Sequence, residues 1–559
     1  MIRGVKTPAV ALGVLVLVAC SSAAHSQWAP GGTLLSTATG TVYTTGIESD
    51  GQHGAFVTFK RYLYGVANHD VCLQHVTSAG YVSPGWPPQG IVVKAATGVD
   101  HNEKYSTPDG TGGIIVVWEQ TGGVYAKRIL GSGATAPGWS AGGTLVTATS
   151  GYLSDVTSDG YGGALISARM NDTTIYVQRV LASGSIASGW PTTGAVFPAR
   201  GKSSAQAIYP EVVHDGSGGA LVTWGASPNT TRNLNIYAQH VMGTGVVDPG
   251  WPTDGLTVCS SDSEQVWPSI VRDGAGGAII AWNDYRNGMS NIYVQHVTGS
   301  GVIAAGWPVN GKRLSTVNSY GVTATPDGVG GATLVWGTGS TRVLRITGSG
   351  AVSPGWPNDG VEILPGGDDY FEAVPDGSGG VFVSWNHYGD ESLVVQHVEG
   401  TGSTAPGWAS NGVSLSTNGG GPKLALDDSG GVVVAWEDYR STDIQPYAQR
   451  IYSNGTVVAV QTTPIPDELA LSSPIPNPSS HGSSMWFSLA TGARVSVRVL
   501  DAAGREIRTL IQAQILGAGI HSLVWDGRTD SSRETCSGIY FIEVQADNKR
   551  LTRRLVIVH

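Results

Sequence analysis

Cysteine is scarce in this 559-residue chain. The four present, Cys20, Cys72, Cys259 and Cys536, include no CxxC pair. They supply neither a zinc site nor a disulfide framework. Charge is also sparse, at 13% of residues, and what there is leaves a net charge of −10 and a pI near 5.7. That balance excludes a nucleic-acid partner, which would want a basic face. HExxH and a phosphate-binding Gly-Lys loop are missing, and no catalytic residue, cofactor or metal is assigned. No stretch is long enough for a transmembrane helix in the mature chain. Glycine, by contrast, is abundant: its 80 residues are about twice the usual share of ~7%. The composition is that of a turn-rich β protein, too long for one ordinary domain.

The N-terminus carries Arg3 and Lys6 ahead of an apolar run from Ala9 to Ala19, which resembles a bacterial secretory signal. Two fates stay open. Ala24-His25-Ser26 suits ordinary cleavage, making residues 1–26 a signal peptide. Leu17-Val18-Ala19-Cys20 resembles a lipobox, making 1–19 a lipoprotein signal with Cys20 lipidated.

From 27 to 460 one unit is written eight times. An Asp-Gly-type turn recurs with its Asp at 50, 109, 159, 215, 273, 327, 376 and 427, a mean period of about 54 residues. Nine positions later stands Phe59, Trp118, Ala168, Trp224, Trp282, Trp336, Trp385 or Trp436. A second column, in a Gly-Trp corner, comprises Trp28, Trp86, Trp139, Trp190, Trp251, Trp307, Trp356 and Trp408. Together the columns take 14 of the 17 Trp, and at one per unit they read as core wedges. Each unit offers four short β runs, in the unit opening at Trp251 being Gly255–Cys259, Pro268–Arg272, Gly277–Trp282 and Asn291–Val297. Four-stranded units of this length predict an all-β fold, an eight-bladed β-propeller with seven blades as the alternative.

Interval lengths divide the units into two faces. The Asp-to-Trp interval is always 9, and from the column Cys72, Tyr125, Tyr176, Tyr237, Tyr293, Arg342, Val394 to the next corner Trp it is always 14. From the Trp282-type position to the Tyr column it ranges from 6 to 13, and from corner Trp to Asp from 19 to 25. In an up-and-down sheet alternate connections leave on alternate faces, so one face is scaffold and the other carries adjustable loops. The richest loops, Lys60–Asp70, Asn283–Ser290, Asn386–Glu391 and Glu437–Gln445, hold Arg61, Tyr62, Asp284, Tyr285, Arg286, His387, Tyr388, Asp438, Tyr439 and Arg440. A carboxylate, a phenol and a guanidinium together suit a polar ligand. The plainer alternative is a hairpin end held by a local Asp–Arg pair.

Three other patterns invite chemistry and read as structure. The pairs Gln74/His75, Gln178/Arg179, Gln239/His240, Gln295/His296, Gln396/His397 and Gln449/Arg450 swap His for Arg freely, which metal ligands do not. Each Asp turn supplies too few oxygens for calcium. Cys72 and Cys259 read as strand residues.

After a Pro-rich linker at 461–480, residues 481–559 show alternating runs at Ser484–Leu489, Arg494–Leu500, Glu506–Ile511, His521–Trp525, Ile539–Gln545 and Arg553–Val558, a small β-sandwich. Asn477-Pro478, Val497-Arg498-Val499-Leu500-Asp501, Gly504-Arg505, Val524-Trp525-Asp526-Gly527 and Ser537-Gly538-Ile539-Tyr540 resemble FlgD-like Ig domains and type A sorting domains of type IX secretion. Cys536 and Ser479-Ser480 depart from that pattern. The resemblance implies export or surface attachment, with the secretion machinery as partner. The expectation is a secreted or cell-surface binding module for an extracellular glycan or protein. An extracellular carbohydrate-active enzyme and an architectural surface protein are the alternatives. Carboxylates clustered with an Arg at the mouth of the channel would favour the enzyme, and a flat aromatic patch would favour binding.

Overall fold

A computed structural model describes residues 28–29, 31–62, 69–95, 104–148, 152–171, 173–199, 208–228, 233–365, 371–386, 392–457, 469–474, 477–479, 482–489, 492–516, 519–531 and 533–559. Among them the secondary structure is strand and turn, with no helix long and apolar enough to cross a membrane. The fold is an all-β propeller followed by a sandwich. Eight four-stranded antiparallel sheets occupy the repeat region. Their first strands are Thr41–Ser49, Lys104–Pro108, Tyr152–Ser158, Ile208–His214, Gln265–Arg272, Tyr320–Pro326, Phe371–Pro375 and Gly419–Leu426. Each first strand packs beside the next, and Gly419–Leu426 packs beside Thr41–Ser49, which closes the circle.

Sequence unit and sheet are offset by one strand. Leu256–Cys259, which opens a unit in the sequence, is the outermost strand of the preceding sheet and pairs with Asn235–Val241. The same offset puts the N-terminal strand Thr33–Leu34 on Gln445–Ile451, through Thr33↔Ala448 and Leu34↔Tyr447. The last sheet therefore joins the two ends of the repeat region.

The constant face owes its constancy to one carboxylate per sheet. In the turn after Arg272, Asp273 Oδ1 accepts the backbone N–H of Ala275 at 2.7 Å and of Gly277 at 2.8 Å. Its Oδ2 takes His296 Nε2 at 2.9 Å on the third strand. The other seven sheets repeat this with Asp50–His75, Asp109–Arg128, Asp159–Arg179, Asp215–His240, Asp327–Arg345, Asp376–His397 and Asp427–Arg450. Either side chain supplies the one N–H the buried oxygen needs, so His and Arg exchange. The pattern takes in Arg128 and Arg345, which lack the Gln that marks the other six in sequence.

Successive sheets are fastened by the corner Trp column. Trp28, Trp86, Trp139, Trp190, Trp251, Trp307, Trp356 and Trp408 each donate the indole N–H to a backbone carbonyl of the next sheet, at 2.8–3.2 Å. All are buried. The interval of 14 is fixed by one bridge repeated eight times, Val297↔Ile303 in the fifth sheet. The Trp282-type column is buried inside the sheets, Trp282 stacking on Tyr293 at 6.2 Å between ring centroids. A glycine four places past the corner Trp is required there: a Cβ on Gly311 (φ +84°) would lie 2.3 Å from Trp282.

The tail forms a three-stranded sheet over a four-stranded one around Leu471, Phe487, Val497, Trp525 and Leu555. Its first strand, Ala470–Leu471, pairs with Ser483–Leu489 and comes from within the Pro-rich stretch. A sandwich boundary drawn at 481 from composition thus falls one strand late, because two paired residues are too few to show as a run. The motif residues have structural work. Asn477 Oδ1 takes Val556 N–H, and Asp501 accepts the N–H of Ala503 and Arg505.

Replacing Asp109 with Ala orphans two N–H groups and the Arg128 guanidinium, and should cost about 3 kcal/mol in urea denaturation. His296→Arg, which copies the other sheets, should stay within about 1 kcal/mol of the parent.

Candidate functional site

The charged loop residues singled out by spacing are engaged in contacts within the fold. Asp284 Oδ1 accepts Arg286 N–H at 2.9 Å and Nε at 2.8 Å, while its Oδ2 accepts Trp282 Nε1 at 2.9 Å. The Arg286 guanidinium continues to Asn310 O at 2.8 Å and lies 4.1 Å over the Tyr293 ring. Asp438 and Arg440 repeat this: Arg440 reaches Gly31 O at 2.9 Å and lies 4.3 Å over Tyr447. Arg61 pairs with Asp70 at 2.5 Å. Tyr62 packs edge-on to Tyr43 at 5.6 Å. Tyr285 is half-buried and its N–H bonds Glu264 O, whereas Tyr439 is exposed. His387, Tyr388 and Cys20 lie outside the described residues. The Asp-Tyr-Arg triplet is thus the local hairpin clamp, with the Trp indole as a third member. Cys259 touches Arg286 at 2.9 Å, but burial pushes its thiol up to about 12, far from a nucleophile's range.

Residues that do differ from copy to copy stand on the innermost strands. Counted back four places from each turn Asp they are Gly46, Tyr105, Asp155, Glu211, Ser269, Thr323, Glu372 and Lys423. The structure sets them in one register column, opposite Thr58, Val117, Ser167, Thr223, Ala281, Val335, Ser384 and Ala435. An innermost strand is a sheet edge, and its outward N–H groups have no ladder partner. Three of them are served from the preceding sheet. Asp155 accepts Val212 N–H at 2.9 Å, Glu211 accepts Ile270 N–H at 3.1 Å, and Ser269 accepts Ala324 N–H at 3.2 Å.

These carboxylates are hard to ionise. Burial pushes Asp155 up to about 6. Burial and the neighbouring Asp155 charge push Glu211 up to about 8. Burial likewise raises Glu48, which accepts Ser106 Oγ at 2.9 Å, to about 8, and Glu437 to about 7. Lys423 pairs with Glu372 across the seventh and eighth positions of this column. Among the described residues no group of three or more His, Cys, Asp or Glu is placed to hold a metal.

First strands run from the variable-loop face towards the Asp turns, so their opening residues rim the mouth of the ring. Two places before that column several strands carry a β-bulge with a residue at positive φ. In the sixth and eighth sheets it is glycine, Gly321 (φ +59°) and Gly421 (φ +55°). In the fifth it is Trp267, at φ +51° and 51% exposed. Tyr320, on the adjoining sixth sheet, is 47% exposed. Counting Trp against the two columns leaves three over, Trp486 and Trp525 in the tail and Trp267 in the repeats. That remainder was the available signal.

Residues 479–550 match the FlgD Ig-like domain family. No curated protein matches the chain. The chain is similar to the β-propeller domain of the trilobed protease from Pyrococcus furiosus, at 9% identity over 64% of this chain and 93% of that one, TM-score 0.36. It is similar to PorZ, a type IX secretion surface component of Porphyromonas gingivalis, at 10% identity over 92% and 81%, TM-score 0.23. A glycosidase-like protein of Bacteroides thetaiotaomicron aligns at 10% identity over 44% and 87%, TM-score 0.25. At these TM-scores the neighbours carry no argument about activity.

Glu48 and Glu211 hold protons in the folded chain that an unfolded chain releases above its ordinary 4.5. Their contribution to stability is complete below that value and is lost as the pH rises to about 8. Thermal midpoints should therefore fall between about pH 5 and pH 9, and Glu48→Gln with Glu211→Gln should flatten the fall.

Proposed function

We propose that the chain is a secreted or surface-displayed eight-bladed propeller that binds an extracellular ligand at its variable-loop mouth. One observation carries this reading: the loop cations are tied down, while Trp267 stands half exposed on the rim, with exposed Tyr320 on the adjoining sheet. An aromatic surface without an accompanying free guanidinium suits recognition better than bond cleavage. The FlgD Ig-like tail would serve export or attachment, with the secretion machinery as partner. Residues 1–26 would be removed as a signal peptide, with lipidation at Cys20 as the second route.

A second reading, an extracellular carbohydrate-active enzyme, is favoured by the neighbouring Asp155 and Glu211 with raised pKa values. Against it, both carboxylates are occupied by strand N–H groups of the next sheet.

Glycan and peptide arrays probed with the full mature chain test the proposal. Binding is expected, unchanged in Arg286→Ala at a temperature where that variant is folded. Arg286→Ala and Arg440→Ala should instead each lower stability by about 1–3 kcal/mol. Loss of binding in folded Arg286→Ala would return the site to the Asp-Tyr-Arg loops. Turnover of a bound glycan, abolished by Glu211→Gln, would favour the enzyme.

A further inference from the structure

Trp267 breaks the rule its position sets. At this bulge Trp267 takes a positive φ, which the sixth and eighth sheets meet with glycine, and a side chain in that conformation is strained. Packing does not repay that strain, since half the residue is exposed and its indole N–H makes no hydrogen bond among the described residues. By contrast, the 14 Trp of the two columns are all buried. A bulky residue held at positive φ, facing solvent at the mouth of a ring, answers to something outside the chain.

We propose that Trp267 is the stacking platform of a carbohydrate site and that its ligand is a neutral glycan. This rests on the binding-module reading and names its ligand class. The incoming connection carries Asp262 and Glu264 among uncharged groups, and the adjoining sheet adds uncharged hydroxyl and amide groups. Ser261 and Ser263 on the incoming connection bond Gln265, the opening residue of the same strand. On the adjoining sheet Asn318 Oδ1 accepts Ser290 N–H at 3.1 Å and its Nδ2 donates to the Tyr320 hydroxyl. A pyranose presents an apolar C–H face for the indole and a rim of hydroxyls for such groups. An anionic ligand would meet a chain of net charge −10. A protein ligand would want a Trp enclosed by apolar, desolvated neighbours, and these neighbours are polar.

The test measures binding of the full mature chain to cellulose, xylan, chitin, mannan and starch oligosaccharides by intrinsic Trp fluorescence and by retention on the insoluble polymers. At least one class should bind. Trp267→Gly should weaken it about tenfold or more, and Trp267→Phe should retain most of the affinity. Trp267→Gly should melt no lower than the parent, since glycine suits the bulge, so the loss cannot be blamed on misfolding. Equal glycan affinity in Trp267→Gly would overturn the platform and leave the binding module standing. Binding to a peptide array with no glycan retained would overturn the ligand class. Binding to neither would remove the binding-module reading along with it.

Discussion

A turn carboxylate, repeated once per sheet, is the contact on which the constant face depends. One oxygen closes the hairpin by accepting two backbone N–H groups. The other reaches across to a His or Arg on the third strand, as in Asp273 with His296 or Asp427 with Arg450. Three of the four strands are thereby held in register from one buried atom pair. The third strand leads into the bridge and corner that deliver a Trp to the next sheet. Hairpin, sheet and ring are thus linked through a connected set of polar contacts, and each is satisfied in a buried place where an orphaned group would cost about 1–3 kcal/mol. Because that set occupies the whole of one face, variation is admitted only on the other.

Inside the ring a different constraint operates. The innermost strand of every sheet is an edge, and its unpaired N–H groups face the channel. Asp155, Glu211 and Ser269 meet that need for the next sheet in turn. Acceptor chemistry is enough there, so Asp, Glu and Ser all serve, and the column drifts in identity without loss of the fold. Copy-to-copy difference alone is therefore a poor guide to function. Raised carboxylate pKa values in this column follow from burial, and they measure the cost of the edge as much as any reactivity.

Much of the fold was legible in the sequence because its constraints are local and repeated. Asp-to-Trp and Tyr-to-corner intervals are fixed by a hairpin and a bridge, and fixed geometry leaves fixed spacing. The tail strands were readable from alternation, apart from Ala470–Leu471, whose partner strand decides its pairing. The candidate site was less legible. Asp284 and Arg286 looked like a ligand pair because their side-chain contacts, to Trp282 Nε1 and Asn310 O, come from the strand before them and a corner well after. Trp267 was hidden in the opening of a strand whose distance from the preceding corner varies. Its place is fixed only when counted backward from Asp273, and its backbone conformation is set by a bulge that spacing does not reveal.

Repetition supplies a control that a single-copy protein lacks. Where all eight sheets agree, the residue serves the ring; where they differ within one chemistry, as His and Arg do opposite the turn Asp, the difference is tolerated. Trp267 belongs to neither class. Gly321 and Gly421 meet the same positive φ with glycine, and no other sheet is described with a bulky side chain at positive φ in that place. Asp155 and Glu211 are accounted for by the N–H groups they accept, and Arg286 by Asp284. Trp267 alone among these side chains is held against its local preference and left facing water. A cost without an internal return marks the point where the ring meets its ligand.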